Sequence, residues 1–243
     1  MQMKINVFPD YKSMSRATAD LITAYVQKKK NSLICLASGH SPLGVFECLA
    51  EDVRSKKLNL DHCIFVSLDE WIGIPSTQKG SCREMMDSDF FGPLNIKKNQ
   101  IRFFDGMASD LNAEVDAINK LIAAHGRLDI MLVGIGMNGH IAMNEPETSF
   151  DSIAHISALA EETKTVGQKY FASATQLSRG ITLGLKHFRE AKLPILVANG
   201  EKKASIIRKA LSSPPSESLP ASVVQLIDNG IVMLDQAANS VSD

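Results

Sequence analysis

The sequence predicts an α/β protein in a single domain, residues 1–243, with an open, mostly parallel sheet covered by helices on both faces in a three-layer, Rossmann-like manner. Three observations carry this reading. Short apolar runs alternate with segments of helical periodicity along the chain, the pattern of strand–helix units. Runs such as Leu128–Val133 and Leu193–Ala198 are apolar on nearly every residue, which suits strands buried on both faces. No internal repeat or low-complexity linker divides the chain, and the Ser/Pro-rich piece from Ser212 to Ser218 has the length of an ordinary surface loop.

The elements follow in order. Lys4 to Phe8 reads as a brief first strand. Met14, Ala17, Leu21, Ile22 and Tyr25 recur at helical spacing, and Lys28-Lys29-Lys30 ends that helix, where cations oppose the macrodipole. Ser32–Ala37 is a continuous run of strand length. Pro42 opens a second helix, Pro being favoured at a first helical position, with Leu43, Phe46, Leu49 and Val53 on one face. His62–Leu68 is another strand, and Ser81-x-x-Glu84 has the form of a capping box opening a helix towards Phe91. Gln100 to Phe104 predicts a further strand, and Leu111, Val115, Ile118 and Ile122 mark the next helix. The strand Leu128–Val133 leads into a long loop, Gly134 to Ser149. Ser157 to Arg189 is mixed, with a helical stretch around Thr163–Phe171. Leu193–Ala198 is a buried-type strand followed by a helix from Lys203 to Leu211, and Ala221–Leu226 and Ile231–Leu234 flank a turn at Asp228-Asn229-Gly230.

Composition narrows the function. The 243 residues are 44% apolar and 22% charged with a formal net charge of -1, which speaks against a strongly basic nucleic-acid binder or a polybasic membrane-surface protein. No apolar run approaches the ~18 residues of a membrane span, and Met1–Ile5 lacks a signal peptide's apolar core. The expectation is a cytoplasmic protein with no nucleic-acid or membrane partner. Cys35, Cys48, Cys63 and Cys82 show neither C-x-x-C nor zinc-like spacing. Cys35 and Cys63 fall in strand-like runs, where a reduced thiol packs as a small hydrophobe.

In open α/β sheets the ligand sits beyond the carboxyl ends of the strands. That rule selects four turns, Ser38–Pro42, Asp69–Trp71, Gly134–His140 and Asn199–Lys203, all expected on one edge of the sheet. Ser38-Gly39-His40-Ser41 precedes a helix N-terminus, where free backbone N–H groups and the dipole favour a phosphate. Such turns are also common as simple caps, but Lys203 starts another helix on the same edge and supplies a cation. Gly134-x-Gly136-x-x-Gly139 matches the dinucleotide fingerprint only formally, since Pro146 breaks any following helix and no acid closes a strand about 20 residues on. That turn presents Asn138, His140 and Glu145 within a few residues. Neither a zinc motif nor a G-x-S-x-G elbow is present. What remains is proton transfer by His and carboxylates beside an anchored phosphate. Asp69 ends its strand beside Trp71, and either caps the next turn or, partly desolvated, serves as a base; the residues alone leave both open.

Leu68–Gly73 together with Gly134–Pro146 resembles the glucosamine-6-phosphate deaminase family. The resemblance extends to Ala37–Pro42, Gly200–Ala204 and Leu219–Ser222, and Gly139-His140-Ile141-Ala142-Met143-Asn144-Glu145-Pro146 is its most specific piece. It implies aldose–ketose isomerisation with loss of ammonia from an amino-sugar 6-phosphate, without metal or organic cofactor. His140 would open the sugar ring by moving a proton to or from the ring oxygen. Asp69 would carry the proton from C2 to C1, and Glu145 would orient and charge-balance His140. Ser38, Gly39, Ser41 and Lys203 match the family's phosphate site.

The chain departs from the family pattern in places. Asn138 stands where an Asp is commonest, removing one negative charge beside His140. Lys169 aligns with a phosphate-binding Arg and loses its bidentate fork, and His40 replaces a Gly in the phosphate turn. Ile153 and His155 occupy the stretch where some relatives carry basic allosteric residues. Val166–Phe171 looks closer to the galactosamine-6-phosphate branch. A 6-phosphogluconolactonase-type hydrolase and a non-catalytic sugar-phosphate sensor are the alternative readings, and a homo-oligomer stays open.

Overall fold

The computed structural model describes residues 3–240; the ends of the expected domain, residues 1–2 and 241–243, lie outside the described residues. Strands are numbered along the chain. β1 (Lys4–Phe8), β2 (Leu33–Leu36), β3 (Ile64–Val66), β5 (Ile101–Arg102), β6 (Ile130–Val133), β9 (Leu193–Ala198) and β10 (Ile231–Asp235) form one seven-stranded sheet in the order β1-β10-β9-β6-β2-β3-β5. Every neighbouring pair in it is parallel. The fold class is the one the sequence predicts.

The alternation of side chains explains why both faces must be covered. Ile34, Leu36, Ile130, Leu132, Ile195 and Val197 point to the face under α1 (Tyr11–Lys28) and α2 (Leu43–Arg54), where they meet Met14, Ile22, Val26, Val45, Phe46 and Leu49. Leu33, Cys35, Met131, Val133, Leu196 and Ala198 point the other way. There they pack under α4 (Leu111–His125), α6 (Leu185–Glu190), α7 (Ala204–Ser212) and the 3-10 segment Pro220–Leu226. Two short helices stand elsewhere: α3 (Cys82–Met86), continued by a π-helical turn Asp87–Phe91, and α5 (Glu161–Gly167), continued by a 3-10 turn Gln168–Tyr170. Asp10 and Asp110 cap α1 and α4 by accepting from Ser13 N and Ala113 N. At α3 Ser81 accepts from Glu84 N, and Glu84 answers Gly80 N rather than Ser81 N.

The structure differs from the sequence reading in its second sheet. β4 (Asp69–Trp71), β8 (Arg179–Thr182) and β7 (His155–Ala158) pair antiparallel in the order β4-β8-β7. The run His62–Leu68 keeps only Ile64–Val66 in the main sheet. Asp69 is therefore not the last residue of a parallel strand. It opens β4 opposite Thr182, at the point where the chain crosses from one sheet to the other. Gln100, expected in a strand, closes a 3-10 turn and spends its amide on the Leu60 and Cys63 carbonyls. Pro42 caps α2 instead of starting it.

At the amino ends of the parallel strands one buried carboxylate gathers several elements. Asp129 is fully buried and accepts from Lys29 Nζ at 2.7 Å, Lys192 Nζ at 3.0 Å and the Leu33 backbone N–H at 2.8 Å, with His125 Nε2 at 2.8 Å. Burial raises its pKa, but these donors outweigh it and hold the group far below the ordinary carboxylate range. A depressed folded-state pKa contributes stability that is whole above about pH 4 and is lost as the pH falls further. Asp129→Asn is expected to cost about 3 kcal/mol, the lower end for a buried ion pair because both lysines keep some solvent. Urea unfolding at pH 7 and near pH 2 measures this, and the deficit of the variant should shrink at the lower pH.

Candidate active site

From β2 the chain runs to β3 and β5 on one side, then returns to add β6, β9 and β10 on the other. β2 and β6 are thus the neighbours at which the winding reverses, and a crevice opens beyond their carboxyl ends. Because the strands are parallel, the turns at 38–42, 134–140 and 199–203 emerge on this one edge, as expected, and β4 leaves from it.

The turn after β6 is built around a histidine. Gly136 N donates to His140 O at 2.9 Å and Gly139 N to Gly136 O at 3.2 Å, closing a compact loop. Gly139 has φ +86°, in the left-handed region that favours glycine. A side chain at Gly136 would collide with the His140 imidazole, so the ring lies directly over that glycine. No helix follows, and the next regular element is β7, consistent with rejecting a dinucleotide fingerprint. Asn138 clamps the loop from both ends: its Oδ1 accepts from His140 N at 3.1 Å, and its Nδ2 donates to Glu145 Oε2 at 2.8 Å. Glu145 Oε2 also lies 3.5 Å from His140 Nδ1. Burial raises the Glu145 pKa, but the neighbouring His140 ring, Thr163 hydroxyl and Asn138 amide outweigh it and hold the group at about 2.

Asp69 faces this loop. It is 9% exposed, and burial pushes its carboxyl up to about 6, with the Cys82 thiol and His140 pulling the other way. Its neighbour Glu70 is fully buried and does a different job. It accepts from the backbone N–H groups of Trp71, Cys82 and Arg83 at 2.8–2.9 Å, tying β4 to the start of α3. The Cys82 thiol thereby lies within hydrogen-bonding range of both Asp69 and Ser38, and links Asp69 to the turn after β2.

That turn holds the expected anion-binding residues. Gly39 takes φ +92°, and Tyr11 OH donates to Ser41 O at 3.0 Å and accepts from Gly44 N at 2.7 Å. His40 is exposed and stacks on Tyr170, with ring centroids 5.5 Å apart. Tyr170 also closes over Gly39, where a side chain would touch its hydroxyl. Lys169 Nζ lies 4.8 Å from the Tyr170 ring centroid. Lys203 arrives from a 3-10 turn (Glu201–Lys203) and donates to Ile135 O at 2.6 Å. Asp235 braces this turn by accepting from Gly200 N at 3.0 Å. Burial, with Lys169 nearby, lowers the Lys203 pKa to about 8, and burial with Lys202 lowers that of Lys169. Cations that discourage one another's charge in this way form a site that favours an anion.

The structure therefore gathers Asp69, Asn138, His140 and Glu145 with Ser38, Gly39, His40, Ser41, Lys169 and Lys203 around one crevice. Sequence reasoning assigned no role to Thr163, whose hydroxyl is 3.1 Å from His140 Nδ1, or to Tyr170, although Tyr170 lies within the Val166–Phe171 stretch singled out there and Thr163 just before it. It also missed the bracing roles of Glu70 and Asp235. Among the described residues no group of three or more His, Cys, Asp or Glu side chains is placed to hold a metal ion, and no helix is long and apolar enough to cross a membrane.

The chain is similar to known proteins over nearly its whole length. The family model described as glucosamine-6-phosphate isomerases/6-phosphogluconolactonase matches residues 11–233. A glucosamine-6-phosphate deaminase of Lachnoclostridium phytofermentans is 36% identical over 92% of this chain and 95% of its own length. One of Clostridium acetobutylicum is 34% identical over 97% and 98%. A solved monomeric glucosamine-6-phosphate deaminase superposes with a TM-score of 0.93 over the whole of both chains at 31% identity. The 6-phosphogluconolactonase of Trypanosoma brucei, at 17% identity and a TM-score of 0.77 over 98% of this chain and 97% of its own, shares the fold. With the family model spanning nearly every element of both sheets, the chain belongs to the glucosamine-6-phosphate isomerase/6-phosphogluconolactonase family.

Proposed function

We propose that this chain is an enzyme that converts glucosamine 6-phosphate and water into fructose 6-phosphate and ammonia. The observation that carries the reading is the meeting, in one crevice, of a buried carboxylate poised near 6, a carboxylate-backed histidine and a cationic turn. The full-length relatives named as glucosamine-6-phosphate deaminases support it over lactone hydrolysis.

The phosphate seats on the N–H groups of the 38–41 turn with Lys203 and Lys169, which fixes the far end of the sugar. His140 moves the proton between the ring oxygen and the anomeric hydroxyl, so the C1–O bond of the ring breaks and an aldehyde with an ammonium at C2 results. Asp69 takes the C2 proton, the electron pair of that C–H bond forms the C1–C2 double bond, and the carbonyl oxygen takes a proton from the ammonium, which gives an enolamine. Returning the proton to C1 gives a C2 iminium, to which water adds as ammonia leaves. A base near 6 suits this, being largely ionised at neutral pH yet basic enough to take a carbon-bound proton. Glu145 compensates the charge His140 gains.

The test is a coupled assay of ammonia and ketohexose 6-phosphate with glucosamine 6-phosphate, its C4 epimer galactosamine 6-phosphate, free glucosamine and 6-phosphogluconolactone. Glucosamine 6-phosphate should be turned over, the free amino sugar should be a very poor substrate, and EDTA should leave the rate unchanged. Turnover of the galacto epimer alone would move the assignment to the other branch. Lactone hydrolysis without ammonia release, or an EDTA-sensitive rate restored by metal, would refute the proposal.

A further inference from the structure

The carboxylate that backs His140 does not reach it well. Glu145 Oε2 is 3.5 Å from His140 Nδ1, beyond the range of a good N–H···O bond. The Thr163 side-chain oxygen is closer, 3.1 Å from the same nitrogen, and lies within hydrogen-bonding reach of the Glu145 carboxylate. Thr163 is 5% exposed, so water competes little for its hydroxyl. It sits on α5, held by the same covering segment that brings Lys169 and Tyr170 over the 38–41 turn.

A threonine hydroxyl has one proton to give and lone pairs with which to accept. Glu145 is an anion throughout the neutral range and can only accept. Its other oxygen, Oε1, is buried without a donor, which leaves the carboxylate short of hydrogen bonds and draws the hydroxyl proton towards it. What Thr163 then offers His140 is a lone pair, and Nδ1 must carry a hydrogen to use it. Asn138 cannot substitute, because its oxygen is engaged by the His140 backbone N–H and its amide by Glu145.

We propose that Thr163 is a positioning residue that relays the charge of Glu145 to His140 and fixes the neutral imidazole with its hydrogen on Nδ1. Nε2 is then the nitrogen that exchanges a proton with the sugar. The inference rests on His140 being the ring-opening group of the reaction proposed above, but the tautomer is measurable without turnover.

The experiment compares wild type with Thr163→Val, which keeps the shape and removes the hydroxyl, and Thr163→Ser, which restores it. In 15N-histidine-labelled protein at a pH where the ring is neutral, with His140→Gln to assign the signal, wild type and the Ser variant should show a protonated Nδ1. The Val variant should lose that preference. Its kcat should fall at least roughly 10-fold, with the ~10⁴-fold cost of a wrong histidine tautomer as the upper bound, while KM stays near wild type and Ser recovers most of the rate. A wild-type signal with the hydrogen on Nε2, or a Val variant with unchanged kcat, overturns the proposal. Absence of deamination by wild type with the Nδ1–H tautomer intact would instead refute only the assigned reaction.

Discussion

Asp69→Asn is expected to lower turnover by roughly 10²–10⁴-fold, the usual cost of removing a general base, while sugar-phosphate binding persists. The substitution keeps the side chain's shape, and the β4–β8 register opposite Thr182 uses the backbone, so the fold has little reason to change. Glu70 continues to hold the start of α3 through its three N–H bonds. The pH dependence gives a second readout. Burial raises the Asp69 pKa to about 6 in the free enzyme, and the base must be ionised to act, so kcat should show an acid limb lying above the ordinary carboxylate range. The substrate phosphate has its own ionisation near pH 6, which is why kcat at saturating substrate is the parameter to follow. In the Asn variant that acid limb should vanish. Near-normal ammonia release would show that the C2 proton goes elsewhere.

Lys203→Ala is expected to raise KM roughly 10- to 150-fold, corresponding to the about 1.5–3 kcal/mol of a hydrogen bond to a charged group, with a smaller effect on kcat. Lys203 is the cation most enclosed by the crevice walls, and its donation to Ile135 O aims the ammonium between the turns after β2 and β6. Its lowered pKa predicts an alkaline limb: as the pH rises through about 8 the free enzyme loses this charge, and kcat/KM falls. Lys203→Arg keeps the charge and should move that limb beyond pH 9 even if the larger head fits less well. An Ala variant with wild-type KM would place the phosphate elsewhere.

Much of this arrangement was legible because parallel sheets leave strong marks. The runs that became β2, β6 and β9 are buried on both faces, and their turns all exit on one edge, so Ser38, His140 and Lys203 could be grouped before any contact was known. The second sheet left no such mark. Asp69–Trp71, His155–Ala158 and Arg179–Thr182 are three or four residues long, two of them rich in polar groups, and β4 finds its partner across more than a hundred residues. A local pattern cannot report such a pairing, and Asp69 was accordingly assigned to the end of a parallel strand. Thr163 escaped for a related reason: it reads as an ordinary helical position, and only the docking of α5 brings it to His140, 23 residues away in sequence. Lys169 was reachable through family resemblance alone, since nothing in its own surroundings marks it out.

Among the described residues the edge strand β1 pairs only with β10, Lys4 opposite Ile231 through Phe8 opposite Asp235. A strand made early is therefore the last to find its place. At about 5–20 residues per second, its partner emerges on the order of 10–45 s later. During that interval β1 has no ladder to join, and Ile5 and Val7, still about half exposed in the finished fold, are open to other chains. The interior strands β2, β3, β5 and β6 with α1 and α2 have no such wait, and can assemble as synthesis proceeds. Nascent-chain aggregation should thus depend on β1 and β10 together, and a stop codon placed before β10 removes two strands from the sheet rather than one.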